Sequence, residues 1–213
     1  MYKWMIFDLD GTLVNSISDI RNAINITFNN NHLQVNYTDD DCLKFIGSGA
    51  RVLIKRALEN FSNDEKLIDK LLNEYNSYYN KHSLIITKPF DGVVETLNYL
   101  KKSGVKLGVL SNKPDIDTKN IVKHFFGDLF DVVQGQVDFL KTKPDPEGIN
   151  YICEKFEINK NEILYIGDMI NDMEVSLNAN IDFCLCEFGY GKYQKLDKFK
   201  YKINKFTEIK ELI

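Results

Sequence analysis

The sequence predicts an α/β protein in which a doubly wound parallel sheet forms the core and a helical segment is inserted after the first strand. Three observations support this class. From residue 88 onward, short apolar runs alternate with segments of helical period, as in parallel sheets with crossover helices. Residues 5–10 supply another apolar strand. Between them, residues 15–86 show helical periodicity and no strand pattern.

The first predicted strand, "MIFDLD", ends in two acids. Asp8 and Asp10 are followed at once by Gly11 and Thr12. Gly11 permits the chain to leave the strand at this point, because glycine adopts backbone angles that other residues avoid.

The insertion is predicted to contain four helical segments. The first begins at Ser16, where Ser16 and Asp19 have the spacing of a capping box. The other three lie at residues 38–45, 49–58 and 64–82. We therefore expect residues 15–86 to form a helical cap domain, and residues 1–14 and 87–213 to form the catalytic α/β core.

The second part of the chain alternates strictly between the two kinds of segment. Helices are predicted at residues 92–104, 115–126, 146–156 and 171–180, and strands at residues 105–112, 130–135, 162–168 and 181–186. Helices of this length between apolar strands predict a parallel sheet covered on both faces.

Composition excludes several classes of protein. The net charge of −4 argues against bulk attraction to nucleic acid or to an anionic membrane. No apolar stretch reaches the roughly 20 residues that cross a bilayer. The four cysteines lack metal-site spacing, which favours free thiols in a reducing compartment. We expect a cytoplasmic protein without nucleic-acid or membrane partners, and monomer and homodimer both remain open.

Polar and charged side chains follow the predicted strands. Ligands of parallel sheets bind beyond the carboxyl ends of the strands. The residues at or just beyond those ends are Asp8, Asp10, Ser111, Asn112, Lys143, Asp168 and Asp172. Several carboxylates in one place repel each other unless a hard cation lies among them, and oxygen ligands suit Mg²⁺.

This set of side chains fits the transfer of a phosphoryl group. One carboxylate can attack phosphorus and form an aspartyl-phosphate. A second can protonate the leaving oxygen and later activate water. Lys143 and the Ser111 hydroxyl can stabilise the charge on the transferred group.

Four short stretches resemble the signature motifs of the haloacid dehalogenase-like hydrolase superfamily, in the order in which that family has them. They are "DLDGT" at 8–12, "SN" at 111–112, the lysine of "KP" at 143–144, and "GD" followed by Asp172 at 167–172. A helical cap inserted after the first motif is also typical of the family. The resemblance therefore covers the whole chain and implies a Rossmann-like core.

The resemblance assigns a role to each motif residue. Asp8 becomes the nucleophile and a Mg²⁺ ligand, and Asp10 the general acid and base, with its main-chain carbonyl on the metal. Asp168 becomes a further metal ligand, with Asp172 as a supporting acid. Ser111 and Lys143 bind the phosphoryl group, with Gly11, Thr12 and Asn112 beside them at the substrate. Met169 departs from the pattern, since many members have Ser or Thr there.

The cap stretch "FIGSGARVLIKRAL" at 45–58 resembles the corresponding stretch of phosphoglycolate phosphatases. Gly47, Ser48 and Gly49 form a turn that opens a helix, whose amide groups favour an anion. Arg51 on the first turn can form a bidentate contact with a carboxylate. We expect these four residues to bind substrate.

The first hypothesis is a Mg²⁺-dependent phosphatase for a small phosphorylated metabolite, with 2-phosphoglycolate as first choice and the cap closing over the site. Alternatives within the enzyme class are a β-phosphoglucomutase-like phosphomutase, a pyrophosphatase, and a broader sugar-phosphate or nucleotide phosphatase. An alternative of another class is a non-catalytic regulator that binds a phosphorylated ligand. The sequence disfavours the regulator, because every motif residue is present.

Overall fold

The structure is a computed structural model that describes residues 2–213, so residue 1 of the predicted core lies outside the described residues. The chain divides into two compact units. One comprises the chain up to Val14 together with Pro89–Ile213, and the other comprises Asn15–Lys88.

The larger unit contains a six-stranded sheet in the order β5-β4-β1-β6-β7-β8. Its strands are β1 (Trp4–Phe7), β4 (Lys106–Pro114), β5 (Val132–Gln136), β6 (Ile163–Gly167), β7 (Asp182–Cys186) and β8 (Tyr201–Ile203). All neighbouring strands pair in parallel. Two further short strands, β2 (Val14–Asn15) and β3 (Lys88–Pro89), form a separate two-stranded sheet.

Helices cover both faces of the six-stranded sheet. They are α5 (Val93–Lys102), α6 (Asp115–Phe126), α7 (Glu147–Phe156) and α8 (Ile170–Ala179). Met5 and Phe7 of β1 belong to one buried cluster, with residues of α5 and α6. Ile6 belongs to a second, with residues of α7 and α8. Successive strand residues thus enter opposite cores, and the predicted doubly wound α/β fold is confirmed.

The smaller unit is built from four helices. They are α1 (Ile17–Asn30), α2 (Asp39–Cys42), α3 (Ala50–Leu58) and α4 (Glu65–His82). Each begins within one residue of its predicted segment. Tyr75 and Tyr79 of α4 are buried and stack with ring centroids 5.5 Å apart. That this unit is a cap stays a prediction.

The predicted capping box at the start of α1 is wrong. The Ser16 side chain makes no capping hydrogen bond. The buried Asp19 carboxylate instead accepts hydrogen bonds from the Ile86 amide at 2.9 Å, the Thr87 amide at 2.8 Å and the Thr87 hydroxyl at 2.8 Å. Three donors from Ile86 and Thr87 bind this carboxylate. Asp19 therefore connects the beginning of the smaller unit to its end and does not cap the first helix.

Some short elements carried no usable sequence signal. The strand β8 has the mixed sequence "YKI", and Asn15 of β2 lies in a segment for which no strand was expected. Within residues 2–213 there are also three 3₁₀ helices, at Lys160–Glu162, Gly191–Tyr193 and Phe206–Leu212. Among the described residues, no helix combines the length and apolar character needed to cross a bilayer.

Candidate active site

The carboxyl end of β1 delivers Asp8 into a buried position. The Asp8 amide donates to the Ile166 carbonyl at 2.9 Å, which extends the pairing with β6 by one residue. The chain then turns at Gly11, whose φ is +90°. A side chain at Gly11 would collide with the Asp168 carboxylate. Glycine is required there both by its conformation and by this close approach.

Three buried carboxylates meet at this edge of the sheet. Asp8, Asp168 and Asp172 each offer an oxygen, and these oxygens lie within 4.8 Å of one another. Burial raises the pKa of Asp8 to about 7, with the charge of Asp172 adding to the effect and Lys143 opposing it. Burial, followed by the charges of Asp172 and Asp8, also holds the pKa of Asp168 well above its usual range. The three acids therefore form a strongly repulsive group.

Lys143 supplies the positive charge within this group. Its ammonium nitrogen lies 2.8 Å from an Asp8 oxygen and 2.7 Å from an Asp172 oxygen. It also donates to the Tyr165 hydroxyl at 2.9 Å. Burial alone would lower the pKa of Lys143, but the charges of Asp172 and Asp8 outweigh it and raise that pKa well above normal. The lysine is therefore charged where it contacts Asp8.

Asn112 fixes the main chain of this lysine. The Asn112 amide group donates to the Lys143 carbonyl at 2.9 Å, and its side-chain oxygen accepts from the Lys143 amide at 2.7 Å. The end of β4 thereby holds the loop that follows β5. The expected contact of Asn112 with substrate stays a prediction, and these two hydrogen bonds make it a support for Lys143.

Asp168 is held by two hydrogen bonds. The Thr12 hydroxyl donates to one Asp168 oxygen at 2.7 Å, and the Tyr190 amide donates to the other at 2.7 Å. Thr12 was expected at the substrate, which stays a prediction. The Tyr190 amide follows β7, and no sequence motif marks it.

Asp172 uses its second oxygen to cap α8. That oxygen accepts from the main-chain amides of Asp168 at 3.1 Å and Met169 at 2.9 Å. Met169 thus contributes to this cap through its main-chain amide. The Tyr165 hydroxyl donates to the Leu110 carbonyl at 3.0 Å, linking β6 to β4 beneath the acids.

Asp10 has a different partner from the other acids. Its two carboxylate oxygens lie 2.9 and 3.1 Å from the ammonium nitrogen of Lys113. The Lys113 amide donates to the Ser111 hydroxyl oxygen at 3.2 Å, and all three side chains are largely buried. Lys113 stands in the stretch "SNKP", but nothing in the sequence connects it with Asp10.

The donor set of the acidic group fits a hard divalent cation. Its ligands are all oxygens, which Mg²⁺ prefers. The Lys143 ammonium, which contacts Asp8 and Asp172, offsets one of the three charges of the ionised group, so full ionisation leaves two negative charges in a buried site. A divalent cation held by Asp8 and Asp168 would balance that charge.

In the smaller unit, the predicted turn before α3 is present. Gly47 and Gly49 have φ values of +100° and +86°, and Gly49 is the N-cap of α3. Arg56, near the end of α3, donates to the carbonyls of Phe45 at 3.0 Å and Ile46 at 3.1 Å. These hydrogen bonds hold the glycine-containing turn in place. Arg56 also donates to the Ser48 hydroxyl at 3.3 Å. Sequence reasoning missed Arg56, because no motif connects it with this turn.

Arg51 lies on the first turn of α3, as expected. Its guanidinium contacts the carboxylates of Glu65, at 2.6 Å, and Asp69, both on α4. Arg51 thus does bind carboxylates in a fork, but those of its own unit. Its contact with a substrate carboxylate stays a prediction, as do the substrate contacts of Gly47, Ser48 and Gly49.

Comparisons with known proteins point in one direction. The family model described as haloacid dehalogenase-like hydrolase matches residues 5–186. A phosphoglycolate phosphatase of Psychrobacter arcticus is 33% identical over 200 residues, covering 90% of this chain and 86% of that protein. One from Aquifex aeolicus is 33% identical over 193 residues, covering 88% and 86%. The crystal structure of a predicted phosphoglycolate phosphatase from Haemophilus somnus superposes with a TM-score of 0.92 at 29% identity, covering 99% and 97% of the two chains.

Proposed function

This chain belongs to the haloacid dehalogenase-like hydrolases, and we propose that it is a Mg²⁺-dependent phosphatase that hydrolyses 2-phosphoglycolate through an aspartyl-phosphate on Asp8. The observation that carries this proposal is the buried contact of Lys143 with Asp8 and Asp172 at the carboxyl edge of the sheet. An ammonium at that place can bind the phosphoryl oxygens and hold the attacking carboxylate at once.

In the first half of the reaction, an Asp8 oxygen attacks phosphorus. The bond between phosphorus and the leaving oxygen breaks, and its electron pair goes to that oxygen. Asp10 in its protonated form gives its proton to the leaving oxygen, which departs as an alcohol. The product on the enzyme is the Asp8 aspartyl-phosphate.

In the second half, water attacks the phosphorus of this aspartyl-phosphate. Asp10, now a carboxylate, takes one proton from the water. The bond between phosphorus and Asp8 breaks, and its electron pair returns to the Asp8 carboxylate. Inorganic phosphate leaves, and Asp10 again carries the proton that it needs for the next cycle.

The neighbouring residues bind and orient the reacting groups. Lys143 and the Ser111 hydroxyl hold the phosphoryl oxygens, and Asn112 keeps Lys143 in place through its main chain. Asp8, Asp168 and the Asp10 carbonyl would hold Mg²⁺, with Asp172 supporting them from its place on α8. When bound, Mg²⁺ supplies neutralisation of the charge shared by the acids and the phosphoryl group.

The choice of substrate rests on the named relatives and on the turn before α3. The similar proteins from Psychrobacter arcticus and Aquifex aeolicus are named phosphoglycolate phosphatases. We assign recognition of the substrate carboxylate to Arg51, which would exchange a contact with Glu65 or Asp69 for one with substrate. A cytoplasmic location, where small phosphorylated metabolites are found, completes the proposal.

A phosphate-release screen tests this proposal. The substrates are 2-phosphoglycolate, pyrophosphate, nucleoside monophosphates and sugar phosphates, each with Mg²⁺ and with EDTA. We expect the highest kcat/KM for 2-phosphoglycolate, and loss of activity in EDTA. Turnover of a sugar phosphate that needs a bisphosphate activator and releases little phosphate would indicate a phosphomutase instead. Binding without phosphate release from any substrate would indicate a regulator.

A further inference from the structure

The two buried lysines of the site contact different acids. Lys143 contacts Asp8 and Asp172, whereas Lys113 contacts both oxygens of Asp10. The Asp10 carboxylate is therefore bound outside the group of three acids that can share a cation. Lys113 itself has no place among the roles proposed for the motif residues.

The main chain of Lys113 is held by its neighbours. The strand β4 continues to Pro114, past the predicted end at residue 112, so Lys113 lies on a strand and not in a loop. Its carbonyl accepts a hydrogen bond from the Thr118 hydroxyl at 3.2 Å. Gly135 packs so closely against this carbonyl that a Cβ added there would lie 2.8 Å from the carbonyl oxygen. The Lys113 side chain therefore starts from a fixed point.

The Lys113 side chain is also confined. It is 6% exposed, and that of Asp10 is 18% exposed. Removing two charges from water costs free energy that their attraction only partly returns, so such a pair adds little net stability. Stability alone gives no reason for a lysine at this position. A fixed cation bound to both oxygens of one carboxylate does restrict the rotation of that carboxylate.

We propose that Lys113 is a positioning residue that holds the Asp10 carboxyl group in the orientation from which it exchanges a proton with the leaving oxygen. The inference rests on the proposed function, in which Asp10 is the general acid. Such a group must come within about 2.6–3.2 Å of the atom that it protonates. Without Lys113, Asp10 can rotate about its side-chain bonds, and the proton donor is lost from that place for part of the time.

The effect must depend on the leaving group. An alkoxide or phenoxide leaves poorly unless it is protonated, whereas 2,4-dinitrophenoxide leaves readily as an anion. The ratio kcat/KM reports the steps up to departure of the leaving group, and so isolates the transfer in which Asp10 acts as acid. Loss of Lys113 should lower kcat/KM for phenyl phosphate far more than for 2,4-dinitrophenyl phosphate.

The test compares Lys113→Met with wild type on these two substrates, in Mg²⁺. We expect kcat/KM for phenyl phosphate to fall by about 100-fold, within the usual contribution of a general acid, and that for dinitrophenyl phosphate to change by less than about fivefold. Lys113→Arg should restore most of the loss. Lys123→Met, which removes an exposed lysine of α6, is the matched control and should leave both values unchanged.

A double-mutant cycle separates positioning from a general structural role. In an Asp10→Asn background, Lys113→Met should cause little further loss on phenyl phosphate, because the group that it positions is already disabled. If Lys113→Met does not fold, Lys113→Gln takes its place in both experiments, with the same expected direction.

Equal losses on the two substrates, or a full further loss in the Asp10→Asn background, would overturn the role of Lys113 while leaving the phosphatase intact. Unchanged kcat/KM on both substrates in the variant would overturn it as well. A wild-type protein inactive on both substrates would overturn the proposed function, and the inference with it.

Discussion

The Lys143 ammonium lies 2.8 Å from the Asp8 carboxylate, and both groups are buried at the carboxyl edge of the parallel sheet. The same ammonium lies 2.7 Å from Asp172, so one cation bridges the acid after β1 and the acid on α8. Burial disfavours the charged form of Asp8, and the Lys143 ammonium opposes that effect on its pKa. The same contact therefore stabilises the buried charge of Asp8 and holds Asp8 in place for its proposed role as nucleophile.

The Tyr165 hydroxyl is expected to stabilise this arrangement. It contacts Lys143 and donates to the buried Leu110 carbonyl. Tyr165→Phe keeps the ring but leaves that carbonyl without this donor, which should cost about 1–3 kcal/mol of the free energy of unfolding. Urea denaturation measures this cost. Tyr99→Phe, at a half-exposed ring, is the control and should cost almost nothing. A Tyr165→Phe protein as stable as wild type would contradict the expectation.

Metal binding should raise the stability of the folded protein. A ligand that binds only the folded state adds about 2.7 kcal/mol at a concentration of 100 times its Kd. Mg²⁺ should therefore raise the Tm of the wild type, and the increase should be lost in Asp168→Asn. Asp128→Asn, which changes an exposed carboxylate, should keep the full increase. An equal increase in all three proteins would place the Mg²⁺ elsewhere, and differential scanning calorimetry distinguishes the two results.

Arg51 is expected to act on substrate choice. Arg51→Ala should lower kcat/KM for 2-phosphoglycolate far more than for p-nitrophenyl phosphate, because only the former has a carboxylate. Its contacts with Glu65 and Asp69 are exposed ion pairs, which contribute little to stability, so the fold should persist. Lys55→Ala removes another contact with Glu65 and serves as the control. Equal losses on both substrates would discard this role for Arg51.

Asp131 should make stability depend on pH, away from the active site. Burial alone would raise its pKa, but hydrogen bonds from Lys101, the Leu107 amide and Lys106 outweigh that effect and lower the pKa below the usual 3.8. The charged form is thus favoured by folding. Its contribution is complete above the unfolded pKa and is lost as the pH falls through the lower folded value.

Asp131→Asn should accordingly cost about 1–2 kcal/mol near neutral pH, since it weakens charge-assisted hydrogen bonds. The difference from wild type should shrink as the pH falls below about 4. Urea denaturation at pH 7, 5 and 3.5 measures it, with Asp128→Asn as the exposed control. A difference that stays constant over this range would show that the charge of Asp131 contributes nothing.

The strands and helices of the core were predictable because their side chains face two separate cores. A parallel strand covered on both faces reads as a continuous apolar run, and β6 with the sequence "ILYIG" is an example. The helix α6 occupies residues 115–126, as predicted, because its start after Pro114 and its end before Gly127 are marked in the sequence. The strand β8 lacks such a pattern, and its pairing with β7 is set by the folded sheet.

The motif acids could be predicted because parallel strands bring their carboxyl ends to one edge. The structure places Asp8, Asp168 and Asp172 together there. The residues that hold the site's charged groups in place were not predictable, since each contacts a residue far away in the chain. Tyr165 reads as one more apolar strand residue, and Lys113 as an ordinary lysine after a strand. Their partners, Lys143 and Asp10, are identified only by the packed structure.

The covalent role of Asp8 is tested most directly by trapping the intermediate. Wild-type protein is mixed with 2-phosphoglycolate and Mg²⁺, quenched within one turnover, and treated with sodium borohydride, which reduces an aspartyl-phosphate to homoserine. Mass spectrometry of the peptide containing residue 8 should then show homoserine in place of Asp8. The Asp8→Asn variant should be folded, inactive and unmodified. Phosphate release by the wild type without homoserine at residue 8, together with full activity of Asp8→Asn, would contradict the account.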